Sequence, residues 1–566
     1  MTLSVRSGFG RYGQVGSLLV LALGAMGGSL WNGWVQDDPP LILNNPAVHE
    51  WSGLTSGFTS AYWPAPSVGG LYRPLARGFH TLQWMATEGH LLTFRLTDLL
   101  LYLALTLAVL ALARELLTPR QAWIAAALFA VHPLHVEAVA AAVNQAELIV
   151  ALAACLAGAA WLRWMQGKAG AAASILAVTA LFLVALGFKE HAVIIPALLV
   201  ALELAVGAPS TADRRRRWGT IAGLFLLGAL WWGVRTAVLG SLAGAVPVEG
   251  LRDASFGARA LTMLGVAGEW ARLLFWPARL QGDYSPWEIA PWDRWQGEQT
   301  AGVLAVIAFG LALGLAWRRR PGVAFGLLWI AIGLAPVANL IVPTGILLAE
   351  RTLLLASVGI VLAIAGLIPD ATWEDGRWRL PLAAALGTLL LLGTVRSATR
   401  MLVWRDRDTY LAALRTDAPE SWRTMVGAGI AEMEAGRRTE GERLLLAAHF
   451  AWPGSPRPIQ VLAFYHRLAG ACVPAVPLLE QALWMRPDDR WTRVPLVACL
   501  LDLGRYAEAR AVAVIDTAPD LQGRVLLTAA AAADSAMHHH APPHTVRLAP
   551  MPGGLTIIGP TRRPGA

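Results

Sequence analysis

The sequence predicts an all-α protein: a polytopic bundle of about eleven membrane helices, followed by an α-solenoid of about three helical repeats. Three observations predict this. Of 566 residues, 56% are hydrophobic and only 15% charged, and the mean hydropathy is +0.50, far from the balance of a soluble chain. Apolar runs recur through residues 1–399, many of them long enough to cross a bilayer. Beyond residue 399 the pattern changes to a period of 34 residues.

Spans are expected near 17–35, 99–114, 121–133, 146–164, 171–187, 191–206, 219–239, 301–317, 322–342, 352–369 and 380–396. The net charge of +8 does not point to nucleic acid. Its densest clusters, Arg214–Arg217 and Arg318–Arg320, lie between apolar runs, where basic residues hold loops in the cytoplasm. Arg6 and Arg11 place the N-terminus on that same inner side. The segment from Ala258 to Pro277 carries Arg259, Glu269 and Arg272, a costly set for a full crossing. It reads as an interfacial or re-entrant helix, which leaves the C-terminal part outside. Arg396, Arg400, Arg405 and Arg407 flank the last span on that outer side and oppose this orientation.

The first span ends in Trp31 and Trp34, then Asp37-Asp38, then Pro39-Pro40. Tryptophan favours the headgroup level, and the prolines stop the helix. An acidic pair is thereby pinned at the mouth of the first span. The external loop 36–90 that follows is rich in aromatics, among them Trp51, Phe58, Tyr62, Trp63, Tyr72 and Trp84. Leu71, Leu75, Phe79 and Leu82 recur at helical spacing with Arg73, Arg77 and His80 off that stripe, as in a helix lying on the membrane surface.

In residues 400–525, Gly436, Gly470 and Gly504 are spaced by 34, as are Pro419, Pro453 and Pro487. Glycine in the inter-helix turn and proline at the repeat end form the tetratricopeptide pattern. Residues 526–566 read as a disordered tail, with His538–His540 a weak metal-binding tract at most. The three cysteines, Cys155, Cys472 and Cys499, suggest neither a disulfide framework nor a metal spacing.

Five further polar clusters fall on the outer face. His132, His135 and Glu137 surround Pro133, which breaks the helix that would align them on zinc. Asn144, Gln145 and Glu147 follow. Lys189-Glu190-His191 sits at the break between two apolar runs, and Asp283-Tyr284 after the interfacial helix. Glu350-Arg351 precedes a span, where the guanidinium offers a bidentate fork for a phosphate. Each cluster has an interfacial explanation. Together they set acids, bases and cations around one external cavity, where membrane polar groups usually serve function.

These residues, in this order, resemble the transmembrane O-mannosyltransferases that act on cadherins and their bacterial relatives, a branch of the GT-C glycosyltransferases. The resemblance rests on Asp37-Asp38 with Asn45-Pro46, Tyr72-Arg73-Pro74-Leu75, His132-Pro133 with His135 and Glu137, Glu147, Lys189-Glu190, Asp283-Tyr284, Ala349-Glu350-Arg351 and the repeats. It implies a GT-C-like membrane domain and transfer of a mannose-like sugar from a polyprenyl-phosphate donor to an acceptor hydroxyl. The transfer would take place at the extracytoplasmic face of a bacterial inner membrane and invert the sugar carbon. Asp37 or Asp38 would be the base. Arg73, Lys189 and Arg351 would bind the donor phosphate. His132, His135, Glu137, Glu147, Glu190, Asp283, Tyr284 and Glu350 would support them. The metal requirement stays open, and a divalent ion is compatible with the pattern. The repeats would take an acceptor protein or glycan. Gln145 stands where family members often carry Arg, and Leu354 and Ala356 depart from their Tyr and Pro. The competing readings are a membrane scaffold for envelope or glycan assembly and a transporter of a lipid-linked substrate.

Overall fold

The computed structural model describes residues 10–64, 70–207, 213–242, 251, 254–284, 294–295, 297–341, 344–487, 489–514, 521–539, 547–551 and 554–558. Arg6 and His540 lie outside them. The chain divides into two compact units. The first comprises residues 1–64, 68–282 and 291–413, and the second residues 65–67, 283–290 and 414–566. The expected boundary lies at residue 399, against 413 in this division.

Among the described residues, eight helices of the first unit are long and apolar enough to cross a membrane, including Tyr12–Trp31, Leu91–Leu116, Ala142–Met165 and Glu350–Leu367. A ninth crossing is possible by length if Pro119–Ala130 and Pro133–Ala140, bent by 50° about the Pro133 break, count as one. The expected eleven is not reached on this measure. The difference lies in Pro321–Val337 and Ile195–Ala205, which are helical and apolar but short. Phe256–Phe275 is a continuous 20-residue helix and not a re-entrant one, and it is not among the eight. Small residues let the bundle close: Gly326 and Gly359 bring the backbones of Pro321–Leu334 and Leu354–Leu367 together where a Cβ would collide.

Helix Pro74–Thr87 begins at a proline, whose missing N–H costs nothing in the first turn. Its burial reverses the expected one. Arg77, His80, Thr81 and Gln83 are buried, whereas Leu82 is 47% exposed. On that side Gln83 donates to Gln145 of the span Ala142–Met165, and Arg77 bonds Ser60 and the Ala61 and Tyr62 carbonyls of the preceding loop.

In the second unit, Trp422–Glu434 pairs with Arg438–Ala451, Arg457–Leu468 with Cys472–Met485, and Arg490–Asp502 with Tyr506–Ala513. Each pair turns on Gly436, Gly470 or Gly504, all at φ between 73° and 78°, a left-handed conformation that glycine adopts without Cβ strain. Two expectations are corrected here. Cys472 and Cys499, which lie on adjacent helix pairs, form a disulfide with Cα atoms 5.2 Å apart. The tail expected to be disordered from residue 526 is helical through Leu521–His539. It buries Leu526, Ala529, Ala530 and Ala533 against the last pair, capping an apolar face that would otherwise meet water. A hairpin of Arg547–Met551 and Gly554–Ile558 follows.

Candidate functional site

The first span ends in a 3₁₀ turn, Gly27–Trp31. Gln36 then takes a left-handed φ of 56°, uncommon for a residue with a Cβ and concentrated at functional sites. That reversal delivers Asp37 and Asp38 to different surroundings. Asp38 is 0% exposed. Its Oδ1 accepts from the Val143 N–H at 2.9 Å, and its Oδ2 from Ala142 N–H at 3.2 Å and Arg95 Nη2 at 2.7 Å. Asp37 is partly exposed, and its charge reaches Arg351 and Tyr62.

Arg95 joins two carboxylates. Besides Asp38 it bonds Asp98 Oδ2 at 3.0 Å and the carbonyls of Asn32 and Gly33, so it ties the first span to the second. Gln145 donates to Asp98 Oδ1 at 2.8 Å, and Gln83 donates to Gln145 at 2.8 Å. Both charged groups are 0% exposed. Arg95 and Asp98 were missed in the sequence. The available signal was two ionisable residues, i and i+3, inside an otherwise apolar span.

A second set of charges keeps a partial opening. Arg351 pairs with Glu137, which also accepts from the Arg351 N–H at 2.8 Å and from the Gln36 side chain at 3.3 Å. Lys189 pairs with Glu147, and His191 Nε2 lies 3.5 Å from the same carboxylate. Arg73 Nε meets Glu190 at 2.9 Å, and Glu190 also accepts from the Tyr72 N–H at 2.9 Å. The cationic side chains of Arg73, Lys189 and Arg351 are 14%, 16% and 14% exposed. They stand close enough for Arg73 and Arg351 to act on Lys189. Burial, with these two cations, pushes Lys189 down to about 8 against the pull of Glu147. Burial brings His191 down to about 4, so it is neutral at pH 7. For Glu190, the Arg73 guanidinium and the hydrogen bonds it accepts outweigh burial and hold the carboxyl low.

The structure therefore brings together Asp37, Asp38, Arg73, Glu137, Glu147, Lys189, Glu190 and Arg351. His135 is spent behind them, its ring nitrogens on Tyr102 at 2.8 Å and Ser357 at 2.7 Å. His132 Nε2 meets the Leu274 carbonyl at 3.1 Å. These contacts occupy the nitrogens a zinc ion would need, and among the described residues no three His, Cys, Asp or Glu converge on a metal position. Glu350 accepts from the Gln281 N–H at 2.6 Å. Asp283 and Tyr284 belong to the second unit, where Asp283 accepts from the Ser421 hydroxyl at 2.5 Å and lies 3.6 Å from Arg423.

No family model matches the chain, and no solved structure matches it. The chain is similar to Protein O-mannosyl-transferase TMTC3 of Mus musculus, 32% identical over 209 residues, 35% of this chain and 22% of the relative. It is similar also to Protein O-mannosyl-transferase Tmtc2 of Drosophila melanogaster, 33% identical over 198 residues, 33% of this chain and 21% of the relative. To Protein O-mannosyl-transferase Tmtc1 of the same organism it is 34% identical over 166 residues, 28% of this chain and 19% of the relative. The chain spans about a fifth of the length of the curated relatives it matches, at 19–22%. The similarity is thus to part of a set of proteins that all bear the name protein O-mannosyl-transferase.

Proposed function

We propose that this chain is a membrane O-mannosyltransferase of the GT-C type. It takes a mannose-like sugar from a polyprenyl-phosphate donor to an acceptor hydroxyl on the extracytoplasmic side of its membrane, in a bacterium the inner membrane. The observation that carries the reading is the division of labour at Asp37-Asp38: one carboxylate saturated and buried, its neighbour partly exposed beside a group of cations. The names of its relatives support the same reaction.

Asp37 takes the proton as the acceptor oxygen attacks the anomeric carbon. The new C–O bond forms as the bond from that carbon to the phosphate oxygen breaks, with inversion. The leaving polyprenyl phosphate keeps the electron pair, and Arg73, Lys189 and Arg351 stabilise its charge electrostatically. Asp38, held by Arg95 and two backbone N–H groups, fixes the loop so that Asp37 stays in register. No metal is required by this scheme. The tetratricopeptide-like repeats supply a surface for the acceptor chain. A transporter would set its charges on broken helices near the midplane; the paired Asp37-Asp38 at the end of the first span favours a transferase base instead.

The test is transfer itself. The purified full chain in lipid nanodiscs, given radiolabelled polyprenyl-phosphate mannose and a Ser/Thr-rich peptide, should label the peptide. No transfer to any hydroxyl acceptor, together with binding of the donor lipid and its movement across proteoliposomes, would replace this reading with the transporter.

A further inference from the structure

The loop over the site is held closely, yet one of its buried polar groups is left without a partner. Arg77, itself buried, donates to the Ser60 hydroxyl at 2.6 Å and to the carbonyls of Ala61 and Tyr62. The Tyr62 N–H donates to the Leu71 carbonyl at 2.8 Å, and the Tyr72 hydroxyl to the Phe58 carbonyl at 3.1 Å. These bonds position the backbone at Tyr62 from both sides. The Tyr62 side chain is 4% exposed, and its hydroxyl has no hydrogen-bond partner among the described residues. Buried hydroxyls are normally bonded, and an exception in a rigid loop calls for an explanation.

The surroundings supply one. The Arg73 guanidinium lies over the Tyr62 ring, 5.3 Å from its centroid, and Asp37 and Asp38 both act on its hydroxyl electrostatically. The group thus lies beside the first of the three cations and within electrostatic reach of the acidic pair. Burial raises it above the ordinary tyrosine value, so at neutral pH it is an O–H donor and not a phenolate. A fixed donor beside a cation suits an anionic oxygen. It does not suit a second cation or an apolar tail.

We propose that Tyr62 is a donor-binding residue whose hydroxyl completes the phosphate site, giving a hydrogen bond to a non-bridging oxygen of a prenyl-linked phosphate beside Arg73. This rests on the transferase reading. It adds a neutral, directional contact to a site otherwise built of charges, and so fixes which phosphate oxygen faces Arg73.

Tyr62→Phe removes the hydroxyl and keeps the ring. A structural role predicts a shift in thermal unfolding, whereas the lost contact proposed here predicts none, because no protein partner is lost. The test compares wild type and Tyr62→Phe in binding citronellyl phosphate and citronellol by the full chain in detergent, alongside the unfolding midpoint. The expected result is a loss of phosphate affinity of about ten- to a hundredfold, the range of a hydrogen bond to a charged group, with citronellol binding and the midpoint unchanged. Equal affinity of the two proteins for the phosphate overturns the assignment of Tyr62 and leaves the transferase reading standing. A lowered midpoint with equal loss for both probes assigns Tyr62 to the fold and overturns the proposal. Failure of the wild-type chain to bind the phosphate at all overturns both.

Discussion

The two charge networks of the membrane unit are built from the same residue types and behave oppositely. Around Asp38, Arg95 and Asp98 every charged side chain is 0% exposed. Around Arg73, Lys189 and Arg351 each cation keeps 14–16% of its surface open. A charge in a dry interior must be matched by partners inside the protein, because no water can compensate it. The first network meets that demand within itself and has nothing left for a ligand. The second is paired as well, but an anion entering from the open side can compete for its cations. Whether the protein itself saturates a group, more than residue type, separates the scaffold from the groups that meet substrate.

The sharpest break in this comparison lies within the acidic pair. Asp37→Asn should lower turnover by about 10²–10⁴, the usual worth of a general base, with donor binding and the unfolding midpoint retained. A turnover within a factor of a few of wild type would remove Asp37 from the chemistry. Asp38→Asn should instead lower the yield of folded chain, since it weakens a contact that spans two helices.

Arg95→Met should act on stability by about 3–5 kcal/mol, the cost of leaving buried carboxylates unpartnered. Size-exclusion and thermal unfolding in detergent would read this directly. A well-folded Arg95→Met protein lacking activity would mean that the buried network belongs to the chemistry after all.

In the open network, Arg351→Lys keeps the charge and loses the planar fork. A fall in donor affinity of about tenfold is expected from one charge-assisted contact, and Arg351→Ala should be worse because Glu137 loses its cation. Unchanged donor affinity in both variants would make Arg351 an interfacial anchor only.

The smallest effect is a pH dependence. Lys189 is held at about 8, below its ordinary 10.5, so it is charged at pH 7 and neutral above 8. Affinity for a phosphate donor should therefore fall roughly a few-fold as pH rises through about 8. Lys189→Arg, which stays charged, should flatten that inflection. A profile identical in the two proteins would place the titration elsewhere.

Much of the local structure was legible in the chain. The break at Pro133, the proline start of Pro74–Thr87 and the glycine turns at 436, 470 and 504 follow from backbone rules that act over a few residues. The position of Asp37-Asp38 at a span end was equally plain. The polar side of Pro74–Thr87 was misread because periodicity shows that a helix has two faces without saying which is covered. The helical order of the tail beyond residue 526 is not legible in its alanine-rich composition, which is apolar only weakly; it comes from the helix pair beneath it.

The sequence by itself determined that this is a helical membrane chain with a helical-repeat C-terminus, and that acids and cations gather at the ends of its spans. Only the tertiary structure decided which of them meet. Asp38 and Arg95 are 57 residues apart in the chain, and Glu137 and Arg351 are 214 apart. The same long-range packing joined Cys472 to Cys499 and drew Asp283 to Ser421. Hydrophobic periodicity records how each helix is solvated, and that is local. Which buried charge finds which partner depends on helices that the chain brings together only when it folds.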